Sequence, residues 1–473
     1  MVIAVVLAVA FALPLGYGAL VLTQGPRSPL NASSSPPPTA AAPPSGIVAE
    51  PGPTFASALP SAPPDGHRYY VDCDAGSDDG DGTSPADAWS TLDRASHASL
   101  APGDELLLLA GCKWQGPLVV TSHGTPSRYI TIGSYGTGAA PLIQNGPEEE
   151  VEVEGSYIVV EDMTLRTFVP SRDAGCDNAP AGRIVGVRMA PGSDHVIVRA
   201  VDASGFFSAI RIERGSSFDR VLDNVLHGND MKSDDITSDA GATGVDVQGD
   251  DNEVAGNRIS GSDTCSRWFG GHDGSAVSIF GGQRNLIHDN VTWDNNGFIE
   301  VGDPRASDTI IAYNQDTSTL ENGTYIVVHG IGTKYGPVAR TTVVNNSAYL
   351  TGRNSFGVQC TGQCPASILS FRNNILWTED RIAYGGDEFD EAGNIYWRSN
   401  GVPTIYFTMS ASSRIADPRF ADAAGRDLSL LAGSPAIDAA SDLALSLGLD
   451  QDIIGTAVPQ GAGPDIGAYE WTP

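Results

Sequence analysis

Basic side chains are scarce in this chain: 27 Lys and Arg stand against 57 Asp and Glu in 473 residues, a formal net charge of −30. So acidic a surface argues against nucleic acid as a partner. It also repels a polyanionic glycan, unless the binding face is locally basic or a cation bridges the two. No CxxC or HExxH pattern occurs, which removes the zinc frameworks built on them. Cysteines number only six, and an even count in an exported chain favours disulfides over metal or thiol chemistry.

Charge is missing altogether from Val2 to Leu22, an apolar run of 21 residues. That length fits a spanning helix or a long signal core. No basic segment precedes it and no A-x-A site follows; Gly16-Tyr17-Gly18 is a poor substitute. A cleaved signal peptide and an uncleaved membrane anchor over residues 1–23 therefore both stay open. No Cys lies beside the run, which argues against a lipoprotein. Either way the remainder is expected to be extracellular, secreted or anchored at the cell surface, and monomeric. Residues 24–66, rich in Pro, Ala and Ser, read as a linker that cannot build a core.

What the chain does have is repetition. GVRMAPG from Gly186, AIRIERG from Ala209, GVDVQGD from Gly244, AVSIFGG from Ala276 and the variant FIEVGDP from Phe298 share one shape. Two apolar residues flank a central one, and a turn follows. Since a strand alternates faces, the flanking residues point one way and the central residues Arg188, Arg211, Asp246, Ser278 and Glu300 the other. A marker follows each strand 11 to 14 residues on: Ala200, then Asn224, Asn257, Asn290 and Asn314. A repeat of about 22 residues with strand and turn in fixed phase marks a solenoid, here a parallel β-helix. Side chains in one phase then form columns. The Asn column, continuing to Asn346 and Asn374, is expected inside as a ladder that satisfies turn backbone. The central column is expected outside, pointing to solvent.

The segments YVD, GDGTSPADAWSTLDRA, PGDELLLLAG and ITIGSYG, in that order from Tyr70, resemble the opening of exported right-handed parallel β-helix proteins of the pectin-lyase-like superfamily. The resemblance covers about residues 67–400 and implies an all-β fold: a right-handed parallel β-helix with an N-terminal capping helix, here around Trp89 to Leu100. It implies no single activity, because that superfamily hosts lyases, hydrolases, epimerases and adhesins. SPAIDAA at Ser434 and DIGAYE at Asp465 resemble a C-terminal segment of bacterial surface β-helix proteins, so residues 401–473 read as a C-terminal capping segment. Asp438, Asp465 and Glu470 are expected to tie its turns.

Glu148, Glu149, Glu150 and Glu152 form a charge run that reads as a solvated face. Cys360 and Cys364 are close enough for a small loop, and Cys73 and Cys112 both fall in the first cap. That leaves Cys176 with Cys265, a bond that would pin a long loop at the cleft.

Chemistry is expected on the outward column. Asp246 and Glu300 stand two coils apart, about 9–10 Å at the inter-strand spacing, which suits the separation of about 6.5–9.5 Å used by inverting glycosidases better than the 5 Å of retaining ones. Ser278 between them leaves room for water. Arg188 and Arg211 extend the column by two subsites able to hold a carboxylate or sulfate. The two long intervals stand directly before Asp246 and Ser278, and inserted residues in a solenoid leave as loops on the binding face. The first holds Lys232, Asp234 and Asp235; the second holds Arg267, Trp268, His272 and Asp273, with Trp268 a candidate sugar platform. His329, Lys334 and Tyr335 border the next coil and come after these.

Three functions compete. A glycoside hydrolase would use Asp246 and Glu300 as its catalytic pair. A polysaccharide lyase or C5-epimerase would use Arg211, Lys232 or His272 as base, with calcium held by acids such as Asp246. A surface adhesin would bind glycan without catalysis. A polysaccharide partner is common to all three, and no cofactor other than that calcium is implied.

Overall fold

The computed structural model describes Phe55 and residues 65–167, 181–233, 240–266, 271–384 and 389–473. The chain divides into two compact units, Met1–Pro44 and Ser45–Pro473. The first lies outside the described residues, and with it the expected leader. Among the described residues no helix is long and apolar enough to cross a membrane.

The second unit is a right-handed parallel β-helix. Three parallel sheets of 12, 10 and 12 strands run along it, the second carrying in addition the short antiparallel strand Thr264–Cys265. The second sheet carries the column expected from the sequence, on strands β1 (Val185–Met189), β2 (Ser208–Ile212), β3 (Ala242–Val247), β4 (His272–Phe280), β5 (Gly297–Gly302), β6 (Thr324–His329) and β7 (Phe356–Thr361). The flanking residues Val187, Ile210, Val245, Val277 and Ile299 stack inside at zero exposure. Full burial of such a side chain stabilises by about 1.5–3 kcal/mol relative to exposure, so this repeated inner pair fixes the register.

Asn224, Asn257, Asn290, Asn314, Asn346 and Asn374 form the inner ladder, which continues to Asn394. From Asn257 on, each side-chain oxygen accepts from the backbone N–H and the amide of the Asn one coil earlier, as Asn257 Oδ1 does from Asn224 at 3.0 and 2.9 Å. The Asn257 amide donates onward to Val221 O, Ala255 O and Asn290 Oδ1. In the coil before the ladder, Val201 and not Ala200 occupies the equivalent place, since Val201 N donates to Asn224 Oδ1. Ala200 instead takes the left-handed turn position held by Asp223, Asp289 and Tyr313 in later coils, all with φ between 51° and 55°. The sequence spacing was one residue off because Ala at the turn carries no polar signal.

The expected N-terminal helix is short, α1 (Leu92–Ser96), with Thr91 accepting from Arg94 N at its start and Leu92 and Ala95 buried. Trp89, taken as helical, is extended and bridges to Val71. Ser96 Oγ accepts from Val119 N, which holds the helix against strand Leu118–Val120 of the second sheet.

The Glu148–Glu152 run is not a solvated face. Glu150 is fully buried and accepts from Gly146 N, and burial pushes its carboxyl up to about 7 against those backbone donors. Glu152 lies on the outer column and is engaged by Arg188.

In the C-terminal segment, Ile405, Phe407 and Met409 pack on the core after the last coil. The chain then runs back along the outside: Leu443, Ala444, Leu447 and Val458 lie on Ile310, Ala312 and Val344 of the first sheet. Asp465 accepts from Asp438 N and Trp471 N, and Glu470 from Gln460 N and Asp465 N, as expected of turn-tying acids. Disulfides join Cys73 to Cys112 and Cys360 to Cys364, with Cα atoms 5.6 and 6.2 Å apart. Cys265 is disulfide-bonded, and Cys176 lies outside the described residues.

Candidate active site

The outer column is continuous. Arg188 pairs in register with Arg211, Arg211 with Asp246, Asp246 with Ser278 and Ser278 with Glu300. Val327 and Gln359 continue it. These side chains leave the coil outward, yet they do not all meet bulk solvent: Asp246 and Ser278 are only 8% and 7% exposed. The reason is a cleft of about 670 Å³ whose walls include Ala240, Gly241, Asp273 and Gly274 from the two long insertions.

Of the expected site residues, the cleft brings together Arg211, Asp246, Ser278, Glu300 and Asp273. Asp273 Oδ1 accepts from Gly274 N at 2.8 Å. Arg188 does not line the cleft. It is held between Glu152 and Glu213, the latter at 3.1 Å, so it is no subsite for an anion. Lys232 sits beside Ala181 in a backbone bridge, and His272 is exposed and pairs with Asp263 at 3.1 Å on a short antiparallel hairpin; neither lines the cleft. Arg267, Trp268, Asp234 and Asp235 lie outside the described residues.

Asp246 Oδ2 accepts from Arg211 Nε and from Gln248 Nε2, both at 3.0 Å. Burial raises its pKa above the ordinary carboxylate value, while Arg211 and Gln248 pull the other way. Both donors meet one oxygen, and the residue lines the cleft. A guanidinium and an amide N–H do not form the oxygen cage that calcium needs. Among the described residues the one group within metal-holding distance is Cys73, Asp74 and Cys112, whose two sulfurs are already a disulfide.

Two rungs away, Glu300 Oε1 accepts from His329 Nε2 at 2.7 Å, and His329 Nδ1 lies 3.1 Å from Thr361 Oγ1. The carboxylate can only accept, so Nε2 carries the proton in this contact. The imidazole is packed by Phe280 and Tyr335, with centroids at 6.3 and 5.3 Å. His329, expected from the sequence to come after the loop residues, lines the cleft and holds Glu300. The signal was the position two residues after the column: Gln248, Phe280, Gly302, His329 and Thr361 form a second column along the cleft edge. Gly302 is the gap in it, where a Cβ would fall 2.8 Å from the Phe280 ring and 3.1 Å from His329 Cδ2.

A more open depression of about 960 Å³ lies beside α1, with Asp93, His97 and Gln115 on its wall. Both titratable residues there are exposed, and no carboxylate pair faces it.

No protein-family model matches the sequence, and no curated protein matches it. The fold does match solved structures. The pectate lyase Pel9A superposes with a TM-score of 0.54 at 13% identity, over 86% of this chain and 96% of that one. A GH136 lacto-N-biosidase from Eubacterium ramulus gives 0.51 at 16% identity, over 74% and 67% of the two chains. What is shared at such identities is the right-handed parallel β-helix.

Proposed function

We propose that this protein is an exported, polysaccharide-active enzyme, a glycoside hydrolase that inverts, with Asp246 as general acid and Glu300 as general base. One observation carries the reading: Asp246 and Glu300 face one cleft from the first and third of three neighbouring strands, with the small Ser278 between. The likeness in fold to a pectate lyase and a lacto-N-biosidase, both named for action on glycans, is consistent with it.

The roles follow from the surroundings. Burial makes Asp246 hold its proton to higher pH than an ordinary carboxyl, and with Oδ2 occupied by two donors the proton belongs on Oδ1. From there it passes to the glycosidic oxygen as the C–O bond breaks. Glu300, oriented by His329, takes a proton from water on the opposite face of the sugar as that oxygen bonds to the anomeric carbon. The lyase reading has less support: Lys232 and His272 stand off the cleft, Arg211 is committed to Asp246, and the donors around Asp246 do not suit calcium. Export is inferred from the apolar N-terminal run together with the disulfides.

Incubation with a glycan panel tests the proposal. New reducing ends without ultraviolet-absorbing products, and inverted anomers at early times by NMR, are expected. Calcium-dependent unsaturated products, or retained anomeric configuration, would overturn it.

A further inference from the structure

We propose that the cleft takes a neutral glycan, bearing hydroxyls and no carboxylate or sulfate. The inference deepens the reading of the cleft as a glycan site and rests on it. Its first support is charge. Among the described residues, Arg183, Arg211 and Arg381 on the wall face Asp246, Asp273 and Glu300, three cations against three anions, in a chain whose net charge is −30. Such a cleft does not attract a polyanion.

The cations are moreover engaged. Arg211 donates to Asp246 Oδ2 at 3.0 Å and to Ser208 Oγ at 3.1 Å, and its guanidinium lies 5.7 Å from the Phe207 ring centre. Arg183 donates to Ser233 Oγ at 3.2 Å. Arg381 lies 4.9 Å over the Phe356 ring and 3.7 Å from Asp380. A sugar carboxylate entering here would meet guanidinium groups already engaged, Arg211 and Arg381 by carboxylates and Arg183 by a hydroxyl, with carboxylates among them. Charge taken from water without a partner is costly, and the fork geometry that recognises a carboxylate needs an Arg with its fork open.

What the cleft offers instead is hydroxyl chemistry. Beside the central column runs another at the strand starts, Ser208, Thr243, Ser275, Gly297 and Thr324, each in register with the next; Ser208 is fully buried and accepts from Arg211 and Thr243, so Thr243, Ser275 and Thr324 carry the hydroxyls on the cleft wall. A hydroxyl both donates and accepts, as sugar hydroxyls do, so the two can exchange bonds without a formal charge. The amides of Gln248 and Gln359 add neutral donors and acceptors on the same walls. Phe280, Tyr335 and Phe356 line the same walls, one face of Tyr335 and of Phe356 being covered by Lys334 and Arg381, and an aromatic ring suits the C–H side of a pyranose.

Affinity electrophoresis tests this with the Asp246→Asn protein, which should leave the polymer uncut, and with wild type beside it because the Asn removes one negative charge. The probes are polygalacturonate and alginate, their carboxyl-reduced forms, xylan and galactomannan, with and without calcium. At least one neutral polymer should retard both proteins with an apparent Kd about tenfold or more below that of every acidic one, the least that one unpaired charge would cost. Equal or stronger retardation by an acidic polymer overturns the proposal, as does retardation by none. If neutral polymers bind selectively yet Asp246→Asn keeps full turnover, the catalytic assignment fails and the substrate class stands.

Discussion

Glu300 and His329 sit on neighbouring strands in different columns, yet His329 Nε2 reaches back to Glu300 Oε1 at 2.7 Å. The contact runs diagonally between the columns, and Gly302 leaves room for the imidazole, since a Cβ there would fall 3.1 Å from His329 Cδ2. His329→Ala should leave the fold intact and lower kcat by about a hundredfold, the scale of a catalytic group misplaced by an ångström or so, with KM little changed. A variant with unaltered kcat would remove His329 from the mechanism.

Gly302→Ala probes the same contact without touching a polar atom. Its Cβ would lie 2.8 Å from the Phe280 ring and 3.1 Å from His329 Cδ2, so the rings must shift. Turnover is expected to fall with His329→Ala, and the two losses should not add when the changes are combined, since both act through one hydrogen bond. Additive losses would show that Gly302 acts elsewhere.

Asp246→Asn and Glu300→Gln should each cost about 10²–10⁴ in kcat, the range of general acid–base catalysis, with glycan binding nearly intact. As the proton donor, Asp246 sets the basic limb of the rate profile, and its raised pKa places that limb above the ordinary range of an aspartate. Arg211 holds the pKa down, so Arg211→Gln should move the limb to higher pH. A limb that stays in place, measured as kcat against pH, would assign it to another group.

Asp316 is buried in the coil interior, where Thr292 Oγ1 donates to it at 2.6 Å, and burial raises its carboxyl from 3.8 to about 7. Because the folded value lies above the unfolded one, its contribution is fully present below pH 3.8 and is lost as pH rises to about 7. Asp316→Asn abolishes that titration. The difference in urea midpoint between wild type and variant should therefore shift in favour of the variant across this window, and a constant difference would contradict the buried, protonated state.

Asn257→Ala leaves Asn224 N–H and Val221 C=O without their side-chain partners inside the solenoid. Each buried group left unpaired costs about 1–3 kcal/mol, so a loss of at least about 2 kcal/mol in urea unfolding is expected. A loss below half that would mean water replaces the amide.

Much of this site was legible in the sequence because a solenoid converts spacing into position. Once Val187, Ile210, Val245, Val277 and Ile299 are recognised as one inner phase, Arg188, Arg211, Asp246, Ser278 and Glu300 must form one outer column, and the Asn ladder follows from the offset. The insertions before Asp246 and Ser278 likewise marked the face that residues 240, 241, 273 and 274 wall off.

Tertiary structure alone decided which column members are catalytic candidates and which are ballast. Arg188 and Arg211 have the same local sequence shape, but one is held by Glu152 and Glu213 and the other reaches Asp246 in the cleft. Glu150 went inside while Glu152, two residues on, stayed outside, since the neighbours Glu150 and Val151 are both buried and strict alternation fails there. His329 was hidden for a related reason. Period and spacing fix where a Cα lies, but the bonds made by a side chain at the end of a strand depend on the rung beside it, and there the missing Cβ of Gly302 opened the path to Glu300.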